Sequence, residues 1–204
     1  MQGIFSAIEG PDGVGKTTIV ELVKNKLLIY GKTVITTTEP TKTETGKEIR
    51  RVLSSNDPTQ QSRLLELYLQ DRKEHTEDFI IPNMEKYDFV LTDRYKHSSI
   101  VYQSIQNLSD IESIKEANSH FIVPDITFIL FDTFDNLVKR LENRGDSREF
   151  LETESTLSKS INCYMNMDKI LNGENIIYIC NDEISKTVDT IIDYLIPLTK
   201  NKRA

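Results

Sequence analysis

The 204-residue sequence predicts an α/β fold in three layers, a five-stranded parallel sheet with helices on both faces. Three observations predict it. Apolar, β-rich segments alternate with segments of helical spacing along the chain, the pattern of βαβ units. The first apolar segment leads into a glycine-rich loop and then straight into a helix-like stretch. No internal repeat, low-complexity tract or linker divides the chain, so residues 1–204 are read as one domain with a single core.

The elements follow in order. Gly3–Glu9 is apolar and bounded by glycine, as a buried parallel strand should be. Ile19, Val20, Leu22, Val23, Leu27 and Leu28 recur at helical spacing over Lys16–Tyr30, and Gly31 is placed to stop that helix. The remaining strands are expected at Thr33–Thr38, Asp88–Asp93, Ile126–Asp132 and Asn175–Cys180. Helices are expected at Thr45–Ser54, Pro58–His75, Thr76–Lys86, Ser98–Gln106, Phe134–Asn143, Glu154–Leu171 and Ser185–Ile196. Asp57-Pro58 and Thr133 suit helix starts, and Gly173 a helix stop.

Composition narrows the function. A hydrophobic content of 38% with 28% charged residues is ordinary for a water-exposed globular chain. No apolar run approaches the roughly 18 residues of a membrane span, and the first strand leaves no room for a leader peptide. No membrane partner is expected. The net charge of −7 argues against general nucleic-acid binding, which favours a basic face. The basic tail Lys200-Asn-Lys-Arg203 reads as solvated. Cys163 and Cys180 lie in apolar-patterned segments without a C-x-x-C or Cys/His cluster, so they are expected to be buried thiols of a cytoplasmic protein. His75, His97 and His120 are scattered and read as surface or helix-end residues.

The loop Gly10-Pro-Asp-Gly-Val-Gly-Lys-Thr17 matches G-x-x-x-x-G-K-[ST], which wraps the phosphates of a nucleoside triphosphate. Its glycines let successive N–H groups converge on one anion. Gly10, Pro11, Asp12, Gly13, Val14, Gly15, Lys16, Thr17 and Thr18 are therefore the expected triphosphate site, with Lys16 on the outer phosphates. Open α/β sheets bind ligands beyond their C-terminal strand ends, where Asp93 terminates Phe89-Val-Leu-Thr-Asp93. Asp93 and the Thr17 hydroxyl are the expected Mg²⁺ ligands, a local ion pair or turn cap being the alternative for Asp93. A GTP switch would need an [NT]-K-x-D base reader. The nearest strings, Asn25-Lys-Leu-Leu28 and Thr41-Lys-Thr-Glu44, lack the aspartate.

Asp93-Arg94-Tyr95-Lys-His-Ser98-Ser-Ile-Val-Tyr102-Gln103 resembles the D-R-[YFH]-x-x-S-x-x-A-Y-Q signature of thymidylate kinases. Glu39-Pro40, Gly46-Lys-Glu-Ile-Arg50 and the helix Leu64-Leu-Glu-Leu-Tyr68-Leu-Gln-Asp-Arg72 resemble further landmarks of that family, in order. The resemblance implies the P-loop kinase fold with a small lid near residues 140–150, a homodimer, and transfer of the ATP γ-phosphate to dTMP with Mg²⁺. A deoxynucleoside kinase, with Glu39 as base, or another monophosphate kinase of that fold is the alternative.

The resemblance also assigns an acceptor site. Tyr68 and Arg72, four apart and so on one helix face, would stack on and hydrogen-bond the base, unless Tyr68 is core and Arg72 pairs with Glu66 or Glu74. Arg50 and Arg94 would grip the monophosphate, since guanidinium forks bond phosphate oxygens in pairs; Arg51 competes with Arg50. Asp12 would face the sugar 3′-OH, or simply form the turn. Tyr102 would crowd the 2′ position, or pack in the core. Ser98 belongs in the pocket or at a helix cap, and Glu39, Pro40 and Tyr164 complete it. One branch of the family carries an arginine directly after this loop aspartate; here Gly13 stands there. The chain instead resembles the branch with transfer arginines on the lid: Arg144 and Arg148 in Arg140-Leu-Glu-Asn-Arg144-Gly-Asp-Ser-Arg148, with Arg140 nearer the adenine. A solvated charged helix is the other reading of that segment.

Overall fold

The computed structural model describes residues 2–55, 57–143 and 153–201. Five strands, β1 (Ile4–Glu9), β2 (Val34–Thr38), β3 (Phe89–Asp93), β4 (Ile126–Phe131) and β5 (Ile176–Cys180), form one all-parallel sheet in the order β2-β3-β1-β4-β5. Each expected strand is present to within one residue at either end. Central β1 is buried along its whole length, so alternate side chains serve the two faces. Ile4 and Ile8 join a core completed by α1 (Lys16–Ile29) and α11 (Ile184–Asn201). Phe5 and Ala7 pack on the opposite side with Ile80, Met84, Tyr95 and Phe121.

The register decides where charge emerges. Ile8 pairs with Asp93, and Thr38 also pairs with Asp93, so β1, β2 and β3 end level. Their following residues, Gly10, Glu39 and Arg94, therefore open onto one edge. Around that edge lie α2 (Glu44–Ser54), α3 (Pro58–Gln61), α4 (Leu64–His75) and α6 (Lys96–Ile105). The other helices are α5 (Ile81–Met84), α7 (Ile111–Asn118), α8 (Phe134–Glu142), α9 (Glu154–Tyr164) and α10 (Met167–Ile170). Thr133 caps α8 by accepting the Asn136 N–H (3.3 Å), as its sequence position suggests.

Several expectations need correction. The helix expected over Pro58–His75 is two helices, with a turn at Ser62 and Arg63 where the Ser62 hydroxyl donates to the Thr59 carbonyl. Thr76–Lys86 is a π-helical turn (Thr76–Ile80) followed by α5, because Pro82 has no N–H to continue the ladder. The helix expected over Glu154–Leu171 breaks between α9 and α10. The short helix α7 lies where no helix is expected; Asp110 starts it by accepting the Ser113 N–H at 2.9 Å. Cys180 is exposed because it ends an edge strand, and Cys163 is only half-buried. Among the described residues no helix is long and apolar enough to cross a membrane.

Helix α2 docks closely on the segment after β2. A Cβ on Gly46 would fall inside contact distance of the Thr41 carbonyl, while Asp71 fixes Thr41 through its N–H (2.9 Å) and hydroxyl (2.5 Å). Gly46→Ala is therefore expected to lower stability by about 1–3 kcal/mol, as overpacking does. An unchanged urea midpoint would contradict the contact.

Candidate active site

The loop leaving β1 turns into α1 through Gly15, whose φ of +93° lies in the left-handed region. A side chain there would also press on the Asn181 amide, 3.1 Å from the position of a Cβ. Lys16 is buried, and its ammonium donates to the Gly10 (2.9 Å) and Pro11 (2.8 Å) carbonyls. Burial, assisted by the Arg94 charge, lowers its pKa to about 8 against the pull of Asp12, Asp93 and Glu9. The Thr17 hydroxyl donates to Asp93 Oδ2 at 2.5 Å, and Asp93 Oδ1 is buried without a hydrogen-bond partner. That uncommitted carboxylate oxygen beside a hydroxyl suits a divalent cation. A cavity of about 340 Å³ opens here, lined by Asp12, Gly13, Gly15, Lys16, Thr17 and Thr18 together with Thr38, Asp93, Arg94 and Arg140. Gly10 and Pro11 do not line it but accept from Lys16 through their carbonyls, and the Val14 side chain is in the core.

A second cavity of about 150 Å³ adjoins the first and shares Asp12 and Arg94 with it. Every residue expected to hold the acceptor lines it except Tyr164. Arg94 is the hinge between the two. Its φ is +69°, unusual for a side-chain-bearing residue, and its guanidinium bonds Asp12 Oδ1 and Ser98 Oγ (3.1 Å). The same group sits 5.2 Å over the Tyr102 ring, whose hydroxyl donates to Asp12 Oδ2 at 2.8 Å. Burial disfavours charge on Arg94, but Asp12 outweighs it and keeps the guanidinium charged.

The far wall is Arg72, which is 1% exposed. Its partner is not Glu66 or Glu74, the pairings open from helical spacing. Nε and one Nη bond Glu39 Oε2 at 2.9 and 2.6 Å, and the other Nη bonds Ser99 Oγ (3.0 Å) and Asn118 Oδ1 (2.5 Å). Glu74 instead accepts from the Thr45 hydroxyl. Half-buried Tyr68 faces the same cavity one helical turn away. Arg50 lines it while donating to the Pro40, Thr41 and Gly46 carbonyls, whereas Arg51 turns outward to Glu48 at 2.6 Å.

Other residues were placed differently from expectation. Tyr164 lies behind the wall, its hydroxyl on Glu9 Oε2 (3.0 Å), because α9 buries it among Ile100 and Val101. Ser98 does not cap α6, which begins two residues earlier after Tyr95. His75 and His97 are helix-end residues, the last of α4 and the second of α6, but they are buried and each meets a buried carboxylate: His75 Nδ1 is 3.0 Å from Glu39, and His97 faces Glu9. Arg140 borders the loop cavity, held by Asp132 Oδ2 (2.6 Å) and the Asn181 carbonyl (3.1 Å). Arg144 and Arg148 lie outside the described residues. Sequence reasoning overlooked Leu53, Tyr95 and Gln103, which complete the second cavity. Gln103 adjoins Tyr102 in the quoted signature; it is 1% exposed and its Oε1 has no partner.

An amide-and-lysine cradle meets a second, arginine-walled cavity through one guanidinium, so two anions can be brought end to end. Fold and site define a phosphate-loop kinase of small molecules. The thymidylate kinase family model matches residues 8–191. A thymidylate kinase of Leptospira interrogans is 32% identical over 200 residues, covering 98% of this chain and 97% of that protein. One from Thermosipho melanesiensis is also 32% identical, over 94% and 100%. A probable thymidylate kinase of Methanococcus aeolicus is 34% identical, over 98% and 97%. The chain belongs to the thymidylate kinase family, the ATP-dependent nucleoside monophosphate kinases that act on dTMP.

The Lys16 environment gives a pH dependence with a definite sign. Bound phosphates favour the charged ammonium, so its pKa rises on binding, and ATP affinity must fall as pH rises through about 8. Calorimetric titration of ATP between pH 7 and 9.5 should show this loss with proton uptake, and Lys16→Met should flatten it.

Proposed function

We propose that the protein transfers the γ-phosphate of ATP to dTMP, giving dTDP and ADP, across the wall its two cavities share. The observation that carries this reading is the sharing of Arg94 and Asp12 by both cavities. ATP phosphates lie on the loop from Gly10 to Thr18, where Lys16 exchanges its carbonyl partners for phosphate oxygens. A phosphate oxygen of dTMP attacks the γ-phosphorus in line, and the bond to the β-phosphate bridging oxygen breaks. No covalent enzyme intermediate is required. Thr17 and Asp93 would hold Mg²⁺, which supplies charge neutralisation at the phosphates.

Arg94 and Arg50 grip the acceptor phosphate, the former reaching the transferred group. Arg144 and Arg148 would supply further positive charge to the transferred group. Asp12 faces the 3′-OH and Tyr102 fills the 2′ space. Tyr68 stacks on the base. Five N–H groups of Arg72 leave one after four bonds to Glu39, Ser99 and Asn118, and that one suits the thymine O4. The free Gln103 Oε1 suits the N3–H beside it. Homodimer formation and a cytoplasmic location belong to the same reading.

The deoxynucleoside kinase alternative fits less well. It needs Glu39 as a general base, yet this carboxylate is 3% exposed and committed to Arg72 and His75.

An ADP-release assay over monophosphates and nucleosides tests the assignment: dTMP should be turned over and thymidine ignored, and the reverse would refute it. Tyr68→Ala should weaken dTMP binding by about 1–3 kcal/mol, the scale of base–aromatic stacking, with ATP affinity unchanged. Equal weakening of both would make Tyr68 structural.

A further inference from the structure

A buried ionic chain runs beneath the wall between the two cavities. Glu9, which ends β1, is 0% exposed. Its Oε1 accepts the N–H of Tyr95 (2.6 Å) and of Ser98 (3.3 Å), and its Oε2 accepts the hydroxyls of Ser98 (2.7 Å) and Tyr164 (3.0 Å). Ser98 Oγ in turn accepts from Arg94 at 3.1 Å. One carboxylate thus holds the turn that follows Arg94 and the hydroxyl that orients its guanidinium. The left-handed φ of Arg94 makes such anchoring necessary, since an unsupported turn would relax to a commoner conformation.

His97, with the Ser98 hydrogen bond and the Arg94 charge, favours the ionised form of this fully buried carboxylate. The His97 ring is 0% exposed and lies between two acids: Nδ1 is 3.6 Å from Glu9 Oε1 and Nε2 is 3.2 Å from Glu174 Oε2. Nε2 is within hydrogen-bond reach of Glu174, whereas Nδ1 is buried without a hydrogen-bond partner and meets Glu9 only electrostatically; two flanking carboxylates favour the charged ring. Thr127 Oγ1, 3.4 Å from Nε2, is the remaining polar neighbour, and Lys96 balances the second oxygen of Glu174 at 2.6 Å.

We propose that His97 is a positioning residue for phosphoryl transfer: clamped as an imidazolium between Glu9 and Glu174, it keeps Glu9 a pure acceptor, and Glu9 thereby fixes Ser98 and the Arg94 guanidinium. The inference rests on Arg94 acting on the acceptor phosphate. A protonated or tilted Glu9 would lose acceptor capacity for the Tyr95 and Ser98 N–H groups, and the turn would open. Burial works against charge on His97, yet Glu174 and Glu9 outweigh it and raise its pKa, while burial of Glu9 is outweighed by His97 and its carboxyl stays below the usual range. The chain links the transfer site to the loop before β5, a part of the fold that touches neither cavity.

The test begins with unaltered protein. The ring nitrogens of ¹⁵N-histidine-labelled enzyme should both show the protonated shift for His97 at pH 7.5; a neutral tautomer would overturn the proposal. His97→Gln should lower kcat by about tenfold or more, as loss of an orienting partner does. Its KM for ATP should stay within about twofold. Full kcat in the variant would overturn the idea. In a Glu9→Gln background the same substitution should add little, since His97 acts through Glu9; independent, multiplying losses would count against it. If His97→Gln fails to fold, Glu174→Gln keeps the ring in place. It should lower the His97 pKa and reduce kcat over the pH range where the ring loses its proton, and unchanged kcat there would be fatal. Failure of the unaltered enzyme to use dTMP refutes the assigned reaction instead, and leaves the ring measurement readable.

Discussion

The level ending of β1, β2 and β3 is the constraint on which the site depends. β1 and β3 are buried on both faces and carry charge only at their last residues, Glu9 and Asp93. Because Asp93 is in register with both Ile8 and Thr38, the ladder stops at one plane. The phosphate loop, the Asp93-Arg94 pair and Glu39 all emerge there within reach of one another. A slip of one residue between β1 and β3 would turn Asp93 to the opposite face and separate it from Thr17.

The basic groups at this edge fall into two kinds. Lys16 and Arg50 rest on backbone carbonyls, partners that an arriving phosphate can replace. Arg72 is different: it is sealed between Glu39, Ser99 and Asn118, and its orientation is fixed before any ligand arrives. Mobile cations suit phosphates, which vary in position during transfer. A rigid donor suits a flat base, where direction matters and ordering on binding would weaken affinity. Arg94 stands between these kinds, anchored by Ser98 and Asp12 yet open to both cavities.

Much of this was legible in the sequence because it is local. The glycine loop, the strand ends and the four-residue step from Tyr68 to Arg72 are short-range patterns whose geometry follows from strand or helix periodicity. The partners of those residues were not legible. Glu39 reaches Arg72 from 33 positions away, and Glu9 reaches Ser98 from 89. Nothing in the spacing of His75 and His97 distinguishes a buried, acid-flanked ring from a surface one. The π-helical turn and the break before α4 reflect single hydrogen bonds gained or lost at Pro82 and Ser62, a scale below helical periodicity. Helix α7 was missed although Asp110 announces it, and with it went Asn118, whose Oδ1 accepts from Arg72.

Arg94 and Asp12 line both cavities. A compound carrying a triphosphate-like head and a pyrimidine head on one short tether could therefore lie through both at once. After the first head docks, the second arrives at a local concentration fixed by tether length, so modest grips multiply into avidity. Sharing Arg94 and Asp12 suits the two cavities to such bivalent ligands.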